Sequence, residues 1–163
     1  FGGTEVVDPA WLGQMPNGTA AMFGKLDQTR VFNKKLSELE VTELYEEFFT
    51  ILSFDNPNLL AAYTMDNVVG TDPIDESPNG ISAQLLNGPT LAPGVDGNAV
   101  YYDGVDDFLI VSGVPTMMTQ QGAVAVWFQV VDDTADNFIF TGCNTELASC
   151  SCPINRYYHG DIC

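Results

Sequence analysis

Six short runs of β-prone residues, at 59–65, 83–86, 98–102, 107–112, 122–131 and 137–141, are each cut off by a cluster of Gly, Pro, Asn or Asp. Turn-forming residues recurring at this interval leave no room for long helices, so the second half of the chain is expected to form an antiparallel β-sandwich. Within 122–131 one face carries Val124, Val126, Phe128 and Val130, an apolar stripe suited to a sandwich interior. The other face carries Ala123, Ala125, Trp127 and Gln129, which sets an outward Trp among small residues.

The first third reads differently. Residues 20–33 suggest two short strands about Gly24, with Leu26, Val31 and Phe32 as their apolar positions. One short amphipathic helix is expected over 37–48. Ser37 and Glu40 have the spacing of a capping box, Leu36 and Val41 that of a hydrophobic staple, and Val41, Leu44, Tyr45 and Phe48 recur at helical intervals. Residues 50–58, with Asp55, Asn56 and Pro57, read as a linker.

Composition narrows the classes of function. The 163 residues include 22 acidic and five basic side chains, a formal charge of −17 that repels nucleic-acid phosphates and anionic lipid head groups. No apolar run approaches the roughly 20 residues that span a bilayer. The chain starts at Phe1 without a signal-like segment, which suggests processing or a piece of a longer polypeptide. Cys143, Cys150, Cys152 and Cys163 crowd the last 21 residues and read as two disulfides in a secreted protein. Either 143–150 with 152–163 or 143–152 with 150–163 avoids a strained ring. A zinc site with His159 is the competitor, but the paired C-x2-C hooks of common zinc modules are missing. Asn17-Gly18-Thr19 is an N-glycosylation sequon in a Pro/Gly turn. No G-x-S-x-G or H-E-x-x-H occurs, and no strand carries the alternating acids of a retaining glycosidase, so the chain is not expected to be an enzyme.

Two stretches resemble the LamG-like, concanavalin-type jelly roll, a family of secreted lectin-like modules. GKLDQTRVFNKKLSELEVTELY at 24–45 is similar to the family's closing segment, a strand followed by a short helix. LAAYTMDN at 60–67, GNAVYYDGVDDF at 97–108 and AVWF at 125–128 are similar to its opening half. The family's middle strands are missing, and the closing segment precedes the opening one. A junction of tandem domains, a circular permutation, or a subunit completed by another chain each explains that order, and the third is preferred. The resulting division is closing strands and helix (1–49), linker (50–58), opening half (59–142) and cysteine-rich tail (143–163).

The resemblance implies an all-β, concanavalin-like jelly-roll sandwich and a structural Ca²⁺ held by Asp27, Asp66, Asp75 and Asn79, whose oxygens suit that ion. Asp103, Asp106 and Asp107 read more simply as a tight turn than as a second metal site. The expected function is a non-enzymatic extracellular or cell-surface filament subunit that self-associates into a homopolymer through head-to-tail strand complementation, since open strand edges become assembly sites. The alternative is a calcium-dependent carbohydrate-binding module of a larger adhesin or glycoside hydrolase. Trp11 and Trp127 are its candidate glycan contacts, or contacts to another subunit.

Overall fold

In a computed structural model the protein is described over residues 9–18, 20–46, 54, 56–113, 122–132, 137–141 and 151–154. These residues form two five-stranded antiparallel sheets, a small hairpin and one helix. The first sheet runs, edge to edge, β12 (Ser151–Ile154), β11 (Asn137–Thr141), β1 (Ala10–Leu12), β9 (Phe108–Val111) and β6 (Ala83–Leu86). The second is built on β2 (Phe23–Phe32). One side of β2 pairs along its length with β10 (Ala123–Val130). The other side pairs end to end with β8 (Asn98–Asp103), which β7 (Thr90–Pro93) flanks, and with β3 (Leu59–Tyr63). Between β3 and β6 lies the hairpin of β4 (Val68–Val69) and β5 (Asp72–Pro73). No helix among the described residues is long and apolar enough to cross a membrane.

Alternation along the strands makes the sandwich. Leu12, Leu85, Leu109, Val111 and Phe140 of the first sheet and Leu26, Val31, Tyr63, Val100 and Tyr102 of the second close one apolar core. Tyr102 is fully buried, and Gly13, at φ +92°, makes room for its ring, because a Cβ there would stand 2.6 Å from it.

Helix α1 (Glu38–Glu46) starts as the capping box requires. The Ser37 backbone N–H and hydroxyl each donate to Glu40 at 2.9 Å, and Lys34 pairs with the same carboxylate. The Lys34 hydrogen bond first, and those from Ser37 next, lower the Glu40 carboxyl to about 2. Of the apolar positions read for the helix, Leu44 is the one that packs on a buried cluster among the described residues. It joins Phe32, Leu36, Leu59, Ala62 and Ala123 in a second cluster on the outer face of the second sheet. Leu39, Val41 and Tyr45 are exposed, and Phe48 lies outside the described residues.

Residues 20–33 do not make two strands about Gly24. They make one ten-residue strand, with Gly24 inside it. Glycine is needed there for close approach and not for a turn, because a Cβ on Gly24 would run into the Gln129 carbonyl of β10. Further along, two residues of β2, Gln28 and Thr29, face the single Val126, and Gln28 takes φ +50°, so the bulge belongs to β2. The closing-like segment therefore pairs directly with the opening-like segments, and both contribute to a single sheet of this one chain.

Candidate functional site

The bulge at Gln28 sets Lys25 and Asp27 on the outer face of the second sheet, opposite Gln129 and Trp127 of β10. Together with the Pro93–Val95 turn these side chains line a pocket of about 240 Å³. Trp127 is half-buried and stacks on Tyr45 of α1, with ring centroids 5.4 Å apart and planes at 30°. The helix thus fixes the orientation of the indole at the pocket wall. Lys25 reaches across to donate from Nζ to the Pro93 carbonyl at 3.0 Å, and Gln129 is exposed at the rim.

Among the described residues Asp27 is the one carboxylate lining the pocket, and it is 3% exposed. Its Oδ1 accepts the Gln28 N–H at 2.7 Å, and its Oδ2 accepts the N–H groups of Val95 at 2.7 Å and Asp96 at 3.4 Å. Burial pushes its carboxyl above the ordinary range, against the lowering by those three hydrogen bonds, and the nearby Asp66 charge adds to the rise. Asp27 therefore pins the turn between β7 and β8. Gly94 is required beside it, since a Cβ would meet the Asp27 carboxylate.

The four residues the family resemblance nominated for calcium do other work here. Asp66 accepts the backbone N–H of Asn98 at 2.8 Å and its Nδ2 at 3.2 Å, on the same turn as Asp27. Asp75 and Asn79 lie along β3 instead. Asp75 takes N–H bonds from Ala62, Ser77 and Ile81 and the Ser77 hydroxyl, all within 2.7–2.9 Å. Asn79 turns its amide nitrogen, a donor, to the Leu59 and Leu60 carbonyls, both at 3.0 Å. A Ca²⁺ ion needs free oxygens converging from several residues. Asp27 lies on β2 and the other three on two separate loops, with their oxygens largely occupied by N–H and O–H donors, and as arranged they do not fit that ion.

Among the described residues, the one trio of His, Cys, Asp or Glu ligand atoms within 4.8 Å of one another is Asp103, Asp106 and Asp107. The turn reading accounts for much of it. Asp103 Oδ1 accepts the Val105 N–H at 2.8 Å, and Asp107 Oδ2 accepts the Asp103 N–H at 3.0 Å across Gly104, at φ +81°. Asp107 is held above the ordinary carboxyl range by burial first, and also by the charges of Asp103 and Asp106.

Trp11 lies on β1 with its ring stacked on Phe108 at 4.4 Å, and it does not line the pocket. Asn17 is exposed, as the sequon requires. Cys143, Cys150 and Cys163 lie outside the described residues, as does the side chain of Cys152, whose backbone belongs to β12. Sequence reading picked out Trp127 and Asp27 but linked them to different roles. Lys25, Tyr45 and Gln129 carry no motif that would have placed them beside the indole. Comparison with protein-family models, with curated proteins and with solved structures found no match to this chain.

Proposed function

We propose that the chain is a non-enzymatic, extracellular, jelly-roll-like module that binds a carbohydrate in the pocket beside Trp127. One observation carries this reading: the Trp127 indole, stacked on Tyr45, lines a pocket of about 240 Å³ together with the polar residues Lys25 and Gln129. The faces of pyranose rings present C–H groups that pack on an aromatic surface, while ring hydroxyls bond to a few polar groups at the rim. The volume suits about one sugar ring.

Binding is favoured over hydrolysis. A glycosidase needs two carboxyl groups flanking the bond, whereas among the described residues Asp27 is the sole carboxylate on the wall, and it already accepts three backbone N–H groups. The exposed sequon at Asn17 and the four cysteines of the tail support an extracellular setting.

The test is a glycan-array screen followed by calorimetric titration of any sugar bound. Trp127→Ala should weaken binding at least tenfold, while Trp11→Ala should leave it unchanged. Equal affinity for parent and Trp127→Ala would overturn the assignment of the site, and an array with no hits would overturn the function.

A further inference from the structure

An asparagine side-chain amide can be attacked by the backbone nitrogen of the residue that follows it, because both groups belong to one chain and the ring they close is small and unstrained. Glycine in the second position leaves that nitrogen unshielded, since it carries no Cβ. The chain contains three such pairs, Asn17-Gly18, Asn79-Gly80 and Asn87-Gly88. In an unfolded chain the three would react alike, so any difference between them is made by the fold.

Attack has two requirements. The nitrogen must give up its proton to become a nucleophile, and the side chain must be free to turn its carbonyl carbon toward that nitrogen. At Asn17 the first is opposed, because the Gly18 N–H donates to the Met15 carbonyl at 2.9 Å. At Asn79 the second is opposed, because Nδ2 is shared between the Leu59 and Leu60 carbonyls, both at 3.0 Å. Asn87 meets both requirements best. Among the described residues nothing accepts the Gly88 N–H, and a Cβ placed on Gly88 would meet no atom within 4 Å. Nδ2 of Asn87 makes one bond, to the Asp106 carbonyl at 2.8 Å. Both residues are exposed, at φ +70° and +108°.

We propose that Asn87 is a site of spontaneous deamidation, with water as the co-reactant, and that the reaction loosens the link between the two sheets. A base takes the proton of the Gly88 N–H, and the nitrogen forms a bond to Asn87 Cγ. The Cγ–Nδ2 bond breaks, and the departing nitrogen regains a proton and leaves as ammonia. Water then opens the resulting cyclic imide at either carbonyl, giving Asp or isoaspartate. The sum is one amide hydrolysed by one water, with nothing oxidised or reduced. The position gives the change its effect. Asn87 lies in the crossover from β6 of the first sheet to β7 of the second, and its amide is the donor that ties this crossover to the turn after β8. The product sets a carboxylate against the Asp106 carbonyl instead, beside a turn that already holds Asp103, Asp106 and Asp107. Isoaspartate also lengthens the main chain at the crossover. The inference is independent of the sugar site.

The test is incubation of the full chain, produced without a glycan on Asn17, in heavy-oxygen water at neutral and at mildly alkaline pH, followed by peptide mapping with mass spectrometry. In the folded chain the peptide carrying Asn87 should take up label at least tenfold faster than those carrying Asn17 or Asn79, and faster still at the higher pH. In urea the three rates should converge. Asn87→Gln, which would have to close a larger ring, should abolish uptake at that position. Asn87→Asp, which reproduces one product, should lower the urea midpoint of unfolding, and the loss should shrink in NaCl as the added charge is screened. Equal rates at the three pairs in the folded chain, or faster uptake at Asn17 or Asn79, would overturn the site. An Asn87→Asp chain with the parent's midpoint would overturn the loosened link.

Discussion

Replacing Asp75 should reveal whether it holds a strand edge or a metal ion. Its two oxygens accept four hydrogen bonds, from the N–H groups of Ala62, Ser77 and Ile81 and the hydroxyl of Ser77. Ala62 is fully buried, and Ser77 and Ile81 are each 6% exposed, so few of these donors find water when the carboxylate is lost. A bond to a charged acceptor contributes about 1.5–3 kcal/mol and a stranded buried donor costs about 1–3 kcal/mol, without simple additivity. Allowing for relaxation of the loop, Asp75→Ala should cost about 3–5 kcal/mol, which for a chain of this length lowers Tm by on the order of 10 °C. Asp75→Asn keeps one accepting oxygen but turns an NH₂ toward two of the donors, and should cost about half as much. Urea denaturation followed by circular dichroism, with and without EDTA, is the assay. The same loss should appear in both buffers. A loss below about 0.5 kcal/mol, or one that vanishes in EDTA because the parent is equally weakened, would refute the edge-capping role.

Three further outcomes follow from the geometry. Melting curves of the parent with and without EDTA should coincide, since the four residues nominated for calcium serve hydrogen bonds; a lower Tm in EDTA would restore an ion to the fold. The raised carboxyl of Asp107 makes stability depend on pH: its contribution is fully present below the unfolded value near 3.8 and is lost as pH rises through the higher folded value. Asp107→Asn, which cannot ionise, should therefore gain in stability relative to the parent as pH rises through that window, and a difference independent of pH would contradict this. Gly24→Ala should destabilise by about 2 kcal/mol or more, because the Gln129 backbone carbonyl it meets cannot swing aside; an unchanged urea midpoint would show that β10 can shift.

Much of the fold was legible because period and punctuation act locally. The alternation over 122–131 correctly separated Val124 and Val126, which pack on the main core, from Trp127 on the outer face. It did not foresee that Phe128 is 44% exposed, because burial at that end depends on whether another strand covers β10. The Ser37 and Glu40 cap was readable for the same local reason. Gly24 misled because a glycine that permits close approach of two strands looks, in sequence, like one that makes a turn. The short strands β1, β4, β5, β7 and β12 have too few residues to show a period, and pairing alone defines them.

The candidate site was half legible for a deeper reason. Asp and Asn attract a metal reading because their oxygens suit a hard cation, yet the same oxygens suit backbone N–H groups, and only geometry decides between the two. Asp75 with Ser77 and Asn79 covers the flank of β3, and Asp27 with Asp66 ties down the turn that walls the pocket. In each case the acidic side chain replaces a strand or a turn partner that the sequence does not otherwise provide. The split order of the family-like segments has the same resolution. A strand that closes a sandwich can precede the strands it closes against if β2 reaches them in space, and the register of β2 with β3, β8 and β10 shows that it does. Completion by another chain is then not needed to form this sheet.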